Sequence, residues 1–142
     1  MLTNYEKCEC YIKGGNFNAK KLASVKNTAA TQNGAQSLIK NYGKMTVSGG
    51  KIQENTKGSP HHYYGLFAIE AFSGKLTVKK GATISNNRYC AILKHDGATV
   101  TVSSKASVKS AGNYPKVYCF SAYYSTTIDN LVREYGGEYE DD

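Results

Sequence analysis

The sequence has no tryptophan, only two prolines and no apolar run long enough to cross a membrane as a helix. Its first residues lack the basic start and the apolar stretch of an export signal. No long segment has apolar residues at helical spacing between matching caps. These absences argue against a membrane-spanning or mainly helical protein, whereas the 14 glycines and 12 tyrosines suit β-structure with many tight turns.

Acidic residues are scarce through most of the chain. Residues 10–128 contain 16 lysines and arginines but only three acids, Glu54, Glu70 and Asp96. Residues 129–142 reverse this balance with six acids and one arginine. A basic body with an acidic end favours attraction to an acidic glycan, a nucleic acid or a membrane surface, or head-to-tail contact between copies. Scattered lysines are also typical of an ordinary soluble surface.

Residue groups that support catalysis are lacking too. The three acids of the body occupy non-equivalent positions in the repeats described below, so stacking does not gather them into the carboxylate cluster of a polysaccharide hydrolase or lyase. His95 beside Asp96 is interpreted as a polar turn between strands, and no serine or cysteine nucleophile stands in a recognisable motif. We therefore expect no enzymatic activity.

Metal and cofactor sites are not indicated either. His61 and His62 are adjacent, but consecutive side chains diverge and no third ligand is evident. The four cysteines lack zinc-type spacing and are equally compatible with disulfides and with buried thiols: Cys8, Cys10, Cys90 and Cys119. We expect no metal and no cofactor.

The chain does contain a repeated strand–bend–strand pattern. Each copy begins with apolar–polar alternation, breaks at a corner of small residues and resumes with one apolar residue. Four copies and a looser fifth align: CYIKGGNFN (10–18), MTVSGGKIQEN (45–55), LTVKKGATISNN (76–87), VTVSSKASVKSAG (100–112) and LVREYGGEY (131–139). A third strand is predicted before each next copy, in residues 37–43, 64–74, 89–97 and 116–124.

Three strands per repeat indicate a three-sided coil, which must stack on its neighbours because one coil cannot bury its inner side chains alone. Equivalent residues then form columns. The first predicted column is Met45, Leu76 and Val100, the second is Ile12, Val47, Val78 and Val102, and the third is Phe17, Ile52, Ile84 and Val108. Corner glycines and turn asparagines are predicted at Gly14, Gly15, Gly49, Gly50, Gly81, Asn55 and Asn87.

The phrase LTV-x-x-G-x-x-I-x-N-N, followed by an apolar strand and another G-x-x-V-T-V, resembles the coils of pectate-lyase-like right-handed parallel β-helices. It is especially similar to the degenerate repeats of bacterial surface proteins. Together with the repeat, the resemblance implies an all-β, right-handed, single-stranded parallel β-helix of about five coils. We expect one domain over residues 1–142, with an N-terminal edge (1–9), coils (10–139) and an acidic tail (140–142).

Two alternatives remain open for parts of this fold. An antiparallel β-sandwich also uses short strands and glycine-rich turns, although it does not need a recurring strand–corner–strand phrase. The irregular insertion at residues 18–36 can hold a short helix.

Tyrosines are the candidate binding residues. Stacking gathers several of them along the third-strand edge, where aromatic faces beside cations suit sugar rings, acidic polymers or a protein surface. Some of them instead fill the core. The candidates are Tyr63, Tyr64, Tyr89, Tyr114, Tyr118, Tyr123 and Tyr124, with Arg88, Lys94 and Lys116 nearby.

These features predict a non-catalytic β-helical module for binding, adhesion or assembly in a surface or extracellular protein of a bacterium or phage. The expected partner is a glycan, an acidic polymer, a protein or a second copy of the chain. Nucleic acid is not expected, because no recognised module or arginine patch is present. The alternatives are a carbohydrate-active lyase or hydrolase-like β-helix, since the resembling families include such enzymes, and a subunit that stacks into filaments.

Overall fold

The computed structural model describes residues 2–19, 37–54, 67–87 and 89–120. These stretches form strands and no helix, so the described part of the chain is all-β. The strands are β1 (Leu2–Asn4), β2 (Glu9–Ile12), β3 (Asn16–Ala19), β4 (Ile39–Asn41), β5 (Lys44–Val47), β6 (Lys51–Glu54), β7 (Ile69–Val78), β8 (Thr83–Asn86), β9 (Ile92–Val102), β10 (Ser107–Lys109) and β11 (Val117–Phe120).

The strands form two sheets whose described pairings are all parallel. One sheet has the order β1-β4-β7-β5-β2, with β9 on β7 and β11 on β9, and the other has the order β10-β8-β6-β3. Each strand thus pairs with its equivalent in the next repeat. An antiparallel sandwich is therefore wrong for this part of the chain.

The strand register confirms the three predicted columns. Leu76 lies opposite Met45 on one side and Val100 on the other, and Cys10 extends this column beyond Met45. The other two columns run Ile12–Val47–Val78–Val102 and Phe17–Ile52–Ile84–Val108. Residues near the middle of each column are buried, as Leu76 and Ile84 show with no exposed surface. Apolar alternation therefore predicted the core because every second side chain of a strand faces the same side.

The turn predicted at His95 and Asp96 is wrong. Both residues lie within β9, which runs without a break from the third-strand position into the first-strand position of the next repeat. Register places Lys94 opposite Ala71 and Gly97 opposite Ser73, so two residues of β9 oppose one residue of β7. The extra residue is absorbed as a β-bulge, which keeps the ladder intact on both sides.

Buried asparagines hold the corner between β4 and β5. Asn41 is fully buried, and its Nδ2 donates to the carbonyl oxygens of Gly43 at 2.9 Å and Lys75 at 3.2 Å. Nδ2 of Asn4, one strand away, donates to Oδ1 of Asn41 at 2.9 Å. These amides satisfy backbone groups that a buried bend would otherwise leave unpaired. Of the asparagines predicted for turns, the backbone N–H of Asn87 donates to the carbonyl of Glu54 at 3.2 Å, and Asn55 lies outside the described residues.

Three of the five predicted corner glycines have a left-handed backbone. Gly15, Gly50 and Gly81 have φ values of +95°, +83° and +100°, which side chains with a Cβ rarely adopt. A further left-handed glycine, Gly74, was not predicted and lies inside the continuous strand β7.

The N-terminal edge contains a strand that the sequence did not indicate. Residues 2–4 form β1, which pairs with β4 in register from Leu2 opposite Ile39 to Asn4 opposite Asn41. This strand occupies the third-strand position of one additional repeat. The loose copy at 131–139, the acidic tail and nearly all of the insertion at 18–36 lie outside the described residues, and the single-domain prediction stays a prediction.

Candidate binding surfaces

The predicted tyrosine edge is only partly described. Tyr63, Tyr64, Tyr123, Tyr124 and Arg88 fall outside the described residues. Tyr89 has no exposed surface and Tyr114 is 6% exposed, and Tyr118 packs against them half-buried.

These three tyrosines belong to an apolar cluster on the outer side of the third strands, together with Phe67, Cys90 and Leu93. The Tyr89 ring lies 6.4 Å from the Tyr114 ring, edge to face, and the backbone N–H of Ala111 donates to the carbonyl of Tyr89 at 3.0 Å. The segment around Ala111 and Tyr114 thus covers Tyr89. The assignment of Tyr89 to a binding edge is therefore corrected, because its ring offers no face to a ligand.

Two of the three predicted cations, Lys94 and Lys116, are described. Lys94 is half-buried and its Nζ donates to the carbonyl of His95 at 3.4 Å. Lys116 is exposed, and its carbonyl accepts the backbone N–H of Ile92 at 3.2 Å.

A different set of aromatic rings is brought together along the third strands. The rings of Tyr42 and Phe72 stack with centroids 4.6 Å apart and planes 4° from parallel. Phe72 stacks in turn on His95, at 4.5 Å and 13°. We call Tyr42, Phe72 and His95 the aromatic column. Asn41, Ala71 and Lys94 are paired in register, and each residue of the aromatic column directly follows one of them. A residue-by-residue alignment of the third strands would therefore have found the column.

Glu70 fixes one end of the aromatic column. Its Oε1 accepts the hydroxyl of Ser37 at 2.8 Å, and its Oε2 lies 2.9 Å from Nε2 of His95. Glu70 is only 9% exposed, and each of its two oxygens has a partner. This carboxylate therefore links β7 to β9 and to Ser37, and these contacts account for its burial.

The other end of the aromatic column opens onto a surface depression. A depression of about 410 Å³ is lined by Thr3, Tyr5, Glu6, Lys40 and Tyr42. Tyr5 is 69% exposed, the highest value among the large hydrophobic side chains described. A second depression, of about 400 Å³, shares Glu6 and Tyr42 with the first and continues to Lys44 and Lys75.

Exposed lysines cover the outer faces of the first and second strands and the corner between them. Lys44 and Lys75 are direct partners in neighbouring strands. Corner residues also stack, since the N–H of Lys79 donates to the carbonyl of Val47 and the N–H of Ser103 to that of Val78. We call this set the lysine surface: Lys13, Lys44, Lys51, Lys75, Lys79, Lys80, Lys105 and Lys109.

Two exposed acids lie beside Lys44 in the described residues: Glu9, and Glu6, which lines the second depression together with Lys44 and Lys75. Oε1 of Glu9 is 3.1 Å from Nζ of Lys44, and this contact raises the pKa of Lys44 by stabilising its charged form. The other acids of the body's described strands are placed elsewhere, with Glu54 and Glu70 buried and Asp96 at the bulge. The lysine surface is thus strongly positive.

No group of three metal-ligating side chains occurs within residues 2–19, 37–54, 67–87 and 89–120. The same stretches contain no helix with the length and apolarity needed to cross a membrane. All four cysteines are described and are free, with Cys8 and Cys119 exposed and Cys90 buried.

Comparison of the chain with protein-family models, with curated proteins and with solved structures finds no match. Function is therefore inferred from the lysine surface and from the aromatic column with its depression.

Proposed function

We propose that the chain is a right-handed parallel β-helix, a solenoid of stacked coils, that serves as a non-catalytic binding module of a surface or extracellular protein. Its ligand in this proposal is an acidic glycan or a related acidic polymer. Support for the solenoid comes from three sets of parallel strands, each of which pairs with its equivalent one repeat away. Stacked repeats of this kind present long regular faces to a polymer.

The lysine surface carries the proposal. Eight exposed lysines share two strand faces and one corner with two exposed acids, Glu6 and Glu9, in the described residues. Neighbouring strands in a sheet are about 4.8 Å apart, so the pair Lys44 and Lys75 repeats its charge along the stacking direction. A linear polyanion can contact several such charges at once, with an attraction that weakens as salt screens it.

Charge reversal on the corner tests the proposal. The double variant Lys79→Glu/Lys105→Glu is compared with Lys94→Glu/Lys116→Glu, which changes the net charge equally at two of the three cations that the sequence predicted. Binding to immobilised polygalacturonate and to neutral dextran is measured over a salt series, with thermal unfolding to verify that each variant is folded. We expect the corner variant to lose about tenfold or more in affinity for the polyanion, since several charge contacts are lost together, and the comparison variant to lose much less.

Three outcomes would overturn the proposal. One is equal loss in the two variants, and another is tighter binding of duplex DNA than of any acidic polysaccharide. The third is catalysis: the protein shortens polygalacturonate on incubation, and Glu70→Gln or Asp96→Asn abolishes this cleavage, as the carbohydrate-active alternative predicts.

End-to-end stacking is a second candidate function with an observation of its own. In the described part of the chain, β1, β2 and β3 each pair along one edge only. Unpaired strand edges can add a strand from another chain. Light scattering over a concentration series checks this: growth in mass supports stacking, and a constant monomer mass contradicts it.

A further inference from the structure

The depression between Tyr5 and Tyr42 has the features of a sugar-binding subsite. In the sheet, β4 lies between β1 and β7, so Phe72 stacks on Tyr42 from the β7 side and Tyr5 lies on the β1 side. Tyr42 is thereby held by its stacked neighbour before any ligand arrives. An ordered aromatic ring loses little conformational entropy on binding, which favours affinity.

The lining of this depression combines aromatic and polar groups. The rings of Tyr5 and Tyr42 offer apolar surfaces, while Thr3, Lys40 and Glu6 supply a hydroxyl, an ammonium and a carboxylate. A pyranose ring has apolar C–H faces and a rim of hydroxyl groups, and aromatic side chains with a few polar neighbours match both. The volume of about 410 Å³ also lies within the usual range of roughly 300 to 1,000 Å³ for small-ligand sites.

Lys40 lies near both this subsite and the aromatic column. Its Nζ lies 6.0 Å from the centroid of the Phe72 ring. Lys40 is also one of the residues that line the depression. There it can bind a hydroxyl or the carboxylate of an acidic sugar.

The second depression connects the subsite with the lysine surface. Both depressions are lined by Glu6 and Tyr42, and the second reaches Lys44 and Lys75 of the lysine surface. We infer that the Tyr5–Tyr42 depression binds one pyranose ring of a glycan whose neighbouring acidic units cross toward Lys44 and Lys75. The assignment to an acidic glycan rests on the proposed function, whereas the binding of a sugar ring at Tyr5 and Tyr42 does not depend on the lysine surface.

The test compares two exposed tyrosines. Tyr5→Ala removes one wall of the subsite, and Tyr11→Ala removes a ring that is 57% exposed on β2 and lines neither depression. Trigalacturonate and the neutral maltotriose are titrated into each variant by calorimetry and by NMR. Loss of one aromatic contact, at about 0.5–1.5 kcal/mol, corresponds to a roughly 2- to 12-fold weaker affinity in Tyr5→Ala and to little change in Tyr11→Ala.

Two further variants separate the possible failures. Tyr42→Phe keeps the stacked ring and is expected to retain binding, which shows that the ring and not the hydroxyl acts. Lys79→Glu/Lys105→Glu is expected to weaken the binding of long polygalacturonate far more than the binding of the trisaccharide.

Equal effects of Tyr5→Ala and Tyr11→Ala, or no binding of either trisaccharide at millimolar concentration, would overturn the inference. Trisaccharide binding that depends on Tyr5 with no polygalacturonate binding would overturn the proposed function and leave the subsite in place.

Discussion

Nε2 of His95 lies 2.9 Å from Oε2 of Glu70, which links β9 to β7 at the bulge. The ring of His95 is at the same time stacked on Phe72, so its position is set from its edge and from its face. His95 follows Lys94 by one residue as Phe72 follows Ala71, so the register that precedes the bulge already sets the two rings side by side.

Replacing Glu70 is expected to destabilise the protein. Glu70→Ala removes the acceptor of the buried Ser37 hydroxyl and the carboxylate that meets His95, which costs about 1–3 kcal/mol of unfolding free energy. Asp96→Ala, at the exposed neighbour in the same bulge, is expected to change stability by no more than about 0.5 kcal/mol. Urea unfolding of both variants measures the difference, and equal stability would contradict the role given to Glu70.

The aromatic column is expected to contribute to stability through its stacking geometry. Phe72→Leu keeps much of the apolar area but removes two stacked contacts, each worth about 0.5–1.5 kcal/mol beyond area burial. We expect a loss of roughly 1–3 kcal/mol in urea unfolding. Tyr11→Ala serves as the control because Tyr11 is largely exposed. A smaller loss in Phe72→Leu than in Tyr11→Ala would show that stacking is energetically neutral.

Glycine is required at position 74 for two reasons. The φ angle of Gly74 is +71°, and a Cβ added there would lie 2.1 Å from the carbonyl oxygen of Gly43. Gly74→Ala is therefore expected to cost about 2 kcal/mol or more, since the left-handed backbone alone costs roughly 1–2 kcal/mol for a residue with a Cβ. Gly14→Ala is the matched control, because a Cβ at Gly14 meets nothing within 4 Å. Similar thermal midpoints for the two variants would rule out the clash.

The buried thiol of Cys90 predicts a pH dependence of stability. Burial raises the pKa of Cys90 well above the usual value of about 8.5 for a free thiol. Above about pH 8.5 the unfolded chain releases this proton while the folded chain keeps it, so the unfolded state binds fewer protons and stability falls as pH rises. The contribution reaches at most about 1.4 kcal/mol per pH unit.

Urea unfolding between about pH 8 and pH 10 checks this sign in comparison with Cys90→Ala, which lacks the thiol. The variant is less stable at neutral pH but is expected to lose less stability over the same interval. Other titrating groups are common to both proteins and cancel in the comparison. An identical slope in the two proteins would mean that Cys90 does not contribute.

The core was predictable because its rule is local. Apolar residues at every second position of a strand identify the inward face, and the spacing of Met45, Leu76 and Val100 after their preceding turns sets the register of one repeat on the next. The same rule could not locate the candidate binding surfaces. Tyr89 and Tyr42 both lie in or beside third strands, yet one ring is covered by the segment around Tyr114 and the other lines an open depression.

The sequence by itself determined that short strands recur and which side chains enter the shared core, because the apolar alternation and the corner glycines can be recognised within a few consecutive residues. Only the tertiary structure decided which outward residues become neighbours. Tyr42, Phe72 and His95 meet because parallel pairing brings residues 30 positions (42 to 72) and 23 positions (72 to 95) apart in sequence into one column. The distribution of lysines over two faces and a corner has the same origin, since stacking converts charges scattered along the chain into one surface.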